Sequence, residues 1–332
     1  MKSHIKTVSL SLAILMIIGS LAGCSQNTSI DIHTPDNLAS TADEGVIMDL
    51  AEEMVPLTDS PAMFAVAMPI ASGISVRKNA KAEIDYSNLK DGYIMVRYLQ
   101  DTNKQLRVIV KGPSDAQYTY TLKSNGEFEV FPLSDGNGNY TVSVYEQIEG
   151  TKYSTSSSVS FNVTLKDEFA PFLRPNQYVN FTMQSKTVAK ATELVKNAND
   201  LTSKVAAIYT FVVTNFTYDK VLAANVKSGY LPDVDAVLEK QKGICFDYAS
   251  VMASMLRSQG IPTKLVVGYA GTAYHAWINV YSDETGWVNN IIFFDGKVWT
   301  LMDPTFASTA NQSASVMAYI GDGSNYTTKY LY

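Results

Sequence analysis

The sequence predicts an α+β fold, helices packed on an antiparallel sheet, preceded by an all-β sandwich. Three observations predict it. Between about residues 70 and 165, apolar and polar residues alternate with a period of two. After Asp167 the apolar residues recur at helical spacing. Beyond Gly260-Ile261-Pro262 strand-like segments return. Helices first and strands after is the order of an α+β arrangement.

The first region is read strand by strand. Leu106, Val108 and Val110 alternate with Arg107, Ile109 and Lys111. Phe128 and Val130 alternate with Glu127 and Glu129, and Tyr140, Val142 and Val144 with Thr141, Ser143 and Tyr145. Val159, Phe161, Val163 and Leu165 continue the pattern. Such alternation marks strands with one buried face. Lys90-Asp91-Gly92, Ser124-Asn125-Gly126 and Asp135-Gly136-Asn137-Gly138 are turn signals between them. About seven short strands at this spacing predict an immunoglobulin-like sandwich. It carries no chemical constellation, so its expected role is a spacer or binding module.

In the second region Val188, Leu194, Val195, Val205, Ile208, Tyr209 and Val212 predict two helices broken near Asn199-Asp200. A third helix is expected from near Gly243 to Gln259, with Tyr248, Ala249, Met252, Met255 and Leu256 as its apolar stripe. Gly260 and Pro262 stop it. Strands are expected at Thr263 to Val267, His275 to Tyr281, Gly286 to Phe294 and Val298 to Met302.

The N-terminus reads as a targeting segment. Lys2 and Lys6 precede an apolar run from Val8 to Ile18, and small residues follow. Leu21-Ala22-Gly23-Cys24 resembles the bacterial lipobox, which implies acylation of Cys24 and anchoring to the membrane outside the cytoplasm. The expected organisation is a lipoprotein signal peptide at 1–23, a tether at 24–69, a β-sandwich at 70–166 and an α+β domain at 167–332. Pro56, Pro61 and Pro69 punctuate the tether, a spacer of the kind that holds an anchored domain off a membrane. The apolar run around Met63 to Ile70 fits a spacer less well and is a candidate to pack on a domain. The formal charge is −6, and becomes more acidic once Lys2 and Lys6 are removed. No block of Lys or Arg marks a nucleic-acid surface.

Only two cysteines are present. With Cys24 carrying lipid, Cys245 is left as a free thiol in an exported chain, a pattern that flags reactivity. Cys245 falls in the first turn of the third expected helix, where unpaired N–H groups and the helix dipole favour thiolate. His275 begins a strand in Tyr274-His275-Ala276-Trp277. Of three histidines, His4 lies in the leader and His33 in the tether, so His275 is the candidate imidazole base. Asp303, in Met302-Asp303-Pro304-Thr305, closes another strand, where a carboxylate would orient the imidazole. Taken singly, a core cysteine, a hydrogen-bonded strand histidine and a turn aspartate explain each residue. Their joint occurrence points to a Cys-His-Asp triad.

The run Gly243-x-Cys245-x-Asp247-Tyr248-Ala249, then Gly260-Ile261-Pro262, Val267-Gly268-Tyr269, His275-Ala276-Trp277 and Asp303-Pro304-Thr305 resembles the transglutaminase-like core, which shares the papain-like cysteine-protease architecture. The resemblance covers about residues 186 to 306. It implies Cys245 as nucleophile, His275 as general base and acid, and Asp303 as the orienting carboxylate. The backbone N–H of Cys245 is the expected oxyanion donor, with Gln241 or Tyr218 as side-chain candidates and Trp277 as a shaper of the acyl channel. Asp247 is expected to answer the helix dipole.

The expected function is acyl transfer on amide bonds of a peptide or protein, with cell-wall peptides among the candidates. Water as acceptor would make a peptidase or amidase, and an amine a transglutaminase. The alternative is a non-catalytic surface lipoprotein that keeps the fold. No cofactor is expected. One globular histidine and one free cysteine do not make a structural zinc cage, and no glycine-rich phosphate loop precedes a helix.

Overall fold

The computed structural model describes residue 66 and residues 68–114, 116–283, 286–288, 292–294, 299–301 and 325–332. The leader, Cys24, most of the tether and Asp303 lie outside the described residues.

The alternating region folds as two antiparallel four-stranded sheets. One is ordered β1 (Val76–Lys78), β2 (Ala82–Asp85), β3 (Tyr93–Tyr98) and β6 (Glu129–Pro132). The other is ordered β5 (Gln117–Leu122), β4 (Leu106–Lys111), β7 (Gly138–Glu149) and β8 (Lys152–Val163). The chain crosses between sheets after β3, β5 and β6, which is the immunoglobulin-like connectivity. Side chains on a strand alternate between faces. Leu106, Val108 and Val110 accordingly lie in the core, and Arg107 and Lys111 face outward. Gly126 and Gly136 take positive φ in the turns, at 77° and 80°.

The end of the expected tether belongs to this packing. Val66 is buried in the core, and Ile70 exchanges main-chain hydrogen bonds with the Tyr93 hydroxyl. Met68 is partly buried against the same core.

The second region opens with α1 (Lys186–Val195) and α2 (Leu201–Asn215), and Asp200 caps α2 by accepting from Ser203 N–H at 2.8 Å. Two short helices then intervene that periodicity does not reveal, α3 (Lys220–Asn225) and α4 (Val234–Lys240). Each is too short to display an apolar stripe, but each starts on an aspartate cap, Asp219 and Asp233. β9 (Thr217–Tyr218) and β10 (Lys242–Gly243) pair in parallel and deliver the chain to α5 (Cys245–Ser258).

α5 is buried along most of its length, with α1, α2 and α4 against it and a sheet beside it. That sheet is ordered β13 (Gly286–Val288), β12 (Ala273–Ser282), β11 (Thr263–Ala270) and β16 (Tyr326–Leu331). The single strand expected from Gly286 to Phe294 contributes instead to two sheets. β13 pairs with β12, whereas β14 (Ile292–Phe294) pairs with β15 (Trp299–Leu301). β16, like α3 and α4, is not among the elements expected from the sequence. It runs antiparallel to β11, and Leu265 and Tyr332 exchange two main-chain hydrogen bonds of 2.8 Å.

Fully buried Arg257 ties these layers together. Its guanidinium donates to the carbonyl of Thr263 at 2.9 and 2.7 Å, to that of Arg174 at 2.7 Å and to the main-chain oxygen of Tyr332 at 2.6 Å. Burial pushes its pKa down to about 9, and these main-chain oxygens supply the acceptors a buried guanidinium needs.

Candidate active site

α5 begins at Cys245, with Ile244 as its N-cap in extended conformation. Ile244 has no side-chain acceptor, so the first turn is closed from the other direction. The carboxylate of fully buried Asp247 accepts the Ile244 N–H at 2.8 Å and the Tyr230 hydroxyl at 2.7 Å. This is half of a capping box. Gly243 is required beside it, because a Cβ there would stand 2.6 Å from the Cβ of Asp247. Burial raises the Asp247 pKa, and the two donors oppose that rise by stabilising the anion. Asp247 thus does more than answer the dipole. It holds the turn that carries Cys245.

Cys245 is half-buried at this turn and His275 is buried on β12. Both line one cavity of about 410 Å³. Its walls also include Tyr178, Tyr218, Tyr230, Tyr274 and Tyr332. His275 pairs across the ladder with Gly268 of β11, where a Cβ would come 2.0 Å from the Thr327 carbonyl of β16. Glycine therefore permits the close approach of three strands behind His275. Trp277, two residues along on the same face, lies beneath the histidine with ring centroids 6.2 Å apart and planes within 21°. Trp277 is buried and contributes to the support of the imidazole rather than to the cavity wall.

Of the two side-chain oxyanion candidates, Tyr218 lines the cavity with Cys245 and His275. Gln241 does not. It sits at the C-terminal cap of α4 with φ of 47°, exposed, and its carbonyl accepts the Thr217 N–H at 2.9 Å. Asp303 lies outside the described residues.

Sequence reasoning missed the tyrosine wall. Phe246 packs edge-on to Tyr178 at 5.3 Å, Tyr178 contacts Tyr332 at 4.6 Å, and Tyr120 of β5 lies 5.4 Å from Tyr178. The residue beside Cys245 is thereby braced against the sandwich. Tyrosine abundance was visible in the composition, but residues at positions 120, 178, 246 and 332 carry no local signal of meeting. Tyr274, adjacent to His275 and 60% exposed, forms the outer rim with Tyr269 at 5.5 Å.

Residues 188–290 match the transglutaminase-like superfamily. The chain is 25% identical over 194 residues to the uncharacterized protein YebA of Bacillus subtilis, a match over 51% of this chain and 26% of that one. It is 32% identical over 69 residues to a protein-glutamine gamma-glutamyltransferase of Pseudomonas aeruginosa, covering 17% of this chain and 10% of that protein. The chain thus spans about a quarter or less of the curated relatives it matches. Among solved structures, the periplasmic domain of TgpA from Pseudomonas aeruginosa, bound to ethylmercury, is similar with 18% identity and a TM-score of 0.32, over 74% of this chain and 79% of that one. Cys245 and His275 both lie within the segment that matches the transglutaminase-like superfamily.

Proposed function

We propose that the protein is a cysteine enzyme that transfers acyl groups from amide bonds, with Cys245 as nucleophile, His275 as base and acid, and Asp303 as the orienting carboxylate. The observation that supports it most is the shared cavity of Cys245, at the start of a buried helix, and His275, on the neighbouring sheet. His275 takes the thiol proton and the thiolate adds to the amide carbonyl. The charge that develops on the carbonyl oxygen meets the Cys245 N–H, and Tyr218 is the side-chain donor placed on the same cavity. Collapse breaks the C–N bond. The imidazolium returns its proton to the departing ammonia or amine, and a thioester remains. Water then yields a carboxylate, or a second amine yields a new amide, and the thiol is restored. The helix start contributes about 0.3–1 kcal/mol to thiolate stability, so the imidazole partner supplies most of the activation.

Labelling with iodoacetamide at neutral pH tests the pair. Fast labelling of Cys245 that slows markedly in His275→Ala supports the reading. Equal and slow labelling in both proteins would sink it and favour a binding protein that retains the fold. Incubation with glutamine-containing peptides, with and without a primary amine, distinguishes hydrolysis from cross-linking by product mass. The same proposal places the enzyme outside the cytoplasm on a lipid attached to Cys24. Mass analysis of the mature N-terminus, and release from membranes in Cys24→Ser, test that part.

A further inference from the structure

The cavity at Cys245 does not end at its own walls. Ser228 and Gly229 line it on one side and also line a second cavity of about 1020 Å³ on the sandwich. Gly229 takes φ of 87°, and a Cβ there would meet the Thr121 hydroxyl at 3.1 Å. Thr121 in turn accepts from the Arg107 guanidinium at 3.2 Å. The loop between α3 and α4 is thus the low divide between the two cavities, and Arg107 stands just beyond it.

The charges on this path have one prevailing sign. Lys227 borders the first cavity, and Lys104, Arg107 and Lys123 border the second. Among the described lining residues, the first cavity has no carboxylate and the second has only Asp101. Lys104 is paired with Glu146 at 3.1 Å. Arg107, Lys123 and Lys227 form no ion pair among the described residues. Among the described residues the Arg107 guanidinium bonds neutral acceptors, the Leu106 carbonyl, Thr121 and Gln105. On the wall of the first cavity, burial raises the Tyr178 pKa, and the Arg107 guanidinium opposes part of that rise. The Glu129 carboxylate accepts the Lys123 N–H at 2.7 Å, yet four lining cations face one lining carboxylate along this path, a local reversal on a chain of net charge −6.

We propose that the sandwich cavity is a subsite for the acidic part of the substrate, the carboxylate-bearing residues of an extended peptide whose reacting amide lies at Cys245. The position of the amide rests on Cys245 being the nucleophile. The recognition itself rests on Arg107 and Lys123. A planar guanidinium presents paired donors to a carboxylate, and Lys123 and Lys227 add point charges on either side. The sandwich then selects substrate instead of merely spacing the domain.

The test uses the full chain with Cys245→Ala, so that binding is read without chemistry. Three peptides share one central glutamine and carry, on one flank, a run of Glu, of Gln or of Lys. Fluorescence anisotropy with an uncharged dye should show the Glu peptide binding at least about tenfold more tightly than the Gln peptide, as expected for charge-assisted contacts. Raising salt from about 0.05 M to about 0.5 M should shrink that advantage to within about twofold. The double variant Arg107→Gln, Lys123→Gln should do the same at low salt, and the exposed Lys123→Gln alone should remove part of it. Equal affinity for the Glu and Gln peptides would overturn the proposal, and so would a Glu preference that survives the double variant. Turnover of the same peptides by the unmodified protein separates the two readings. Charge-selective binding without turnover leaves the subsite standing and removes Cys245 as nucleophile. Turnover without charge selectivity removes the subsite.

Discussion

Asp247→Ala is expected to destabilise the protein by about 2 kcal/mol and to slow the reaction of Cys245 with thiol reagents. The wild-type carboxylate accepts two hydrogen bonds, from the buried Ile244 N–H at 2.8 Å and from Tyr230 at 2.7 Å. Each buried group orphaned by the substitution costs about 1–3 kcal/mol, with part-exposed Tyr230 at the low end. The sum of about 3 kcal/mol is reduced because the variant no longer keeps a carboxylate out of water, the burden that raises the pKa of Asp247. Asp247→Asn keeps an acceptor for Ile244 and should cost about 1 kcal/mol, as should Tyr230→Phe. The double variant Asp247→Ala, Tyr230→Phe should fall short of additivity by about 1 kcal/mol, since the two side chains share one bond. Urea denaturation measures all four, and alkylation of Cys245 under native conditions reports the turn itself. If Asn and Ala cost the same, the charge on the helix dipole is what matters and the capping bonds are not. A cost below about 0.5 kcal/mol for Ala would refute both accounts.

Three further outcomes follow from other parts of the fold. Arg257→Met should cost about 3 kcal/mol in urea denaturation, because it removes the side-chain donors to the carbonyls of Thr263 and Arg174 in the interior and one of the two donors to the Tyr332 oxygen, which keeps the Leu265 N–H. Gly268→Ala should cost about 2–4 kcal/mol and perturb near-ultraviolet tyrosine and tryptophan signals, because its Cβ has no room against the Thr327 carbonyl. In acid, Glu146 should contribute to unfolding: hydrogen bonds from Lys81, then Lys104 and Tyr98, hold its pKa at about 2, below its ordinary 4.5. Its stabilisation is complete above about pH 4.5 and is lost as pH falls toward 2. The half-exposed lysines limit it to on the order of 1 kcal/mol. Lys104→Ala with Lys81→Ala should flatten the stability–pH curve in that window.

The amino-acid sequence by itself determined the local chemistry and the elements with a strong period. The α5 boundary fell on Cys245 because glycine and the Asp247 cap act within a few residues. The β4 pattern was legible because alternation follows from the pleat alone. The expected sequence motifs also put His275 on a strand beside Trp277, and both lie on β12.

Tertiary structure decided what those residues meet. α3 and α4 are too short for periodicity, so their aspartate caps were their only local mark. β16 exists because β11 offers an edge to it and Arg257 clasps the main chain of Tyr332 from 75 residues away. Gln241 was a reasonable candidate by its four-residue distance from Cys245. In the folded chain it is exposed in a left-handed turn and is not among the residues that line the cavity with Cys245. The tyrosine wall and the basic path across Ser228 and Gly229 depend on the sandwich packing against the second region. Contacts between residues so far apart in the chain arise from shared burial of surfaces. Local sequence encodes each surface, and only the folded chain brings the two together.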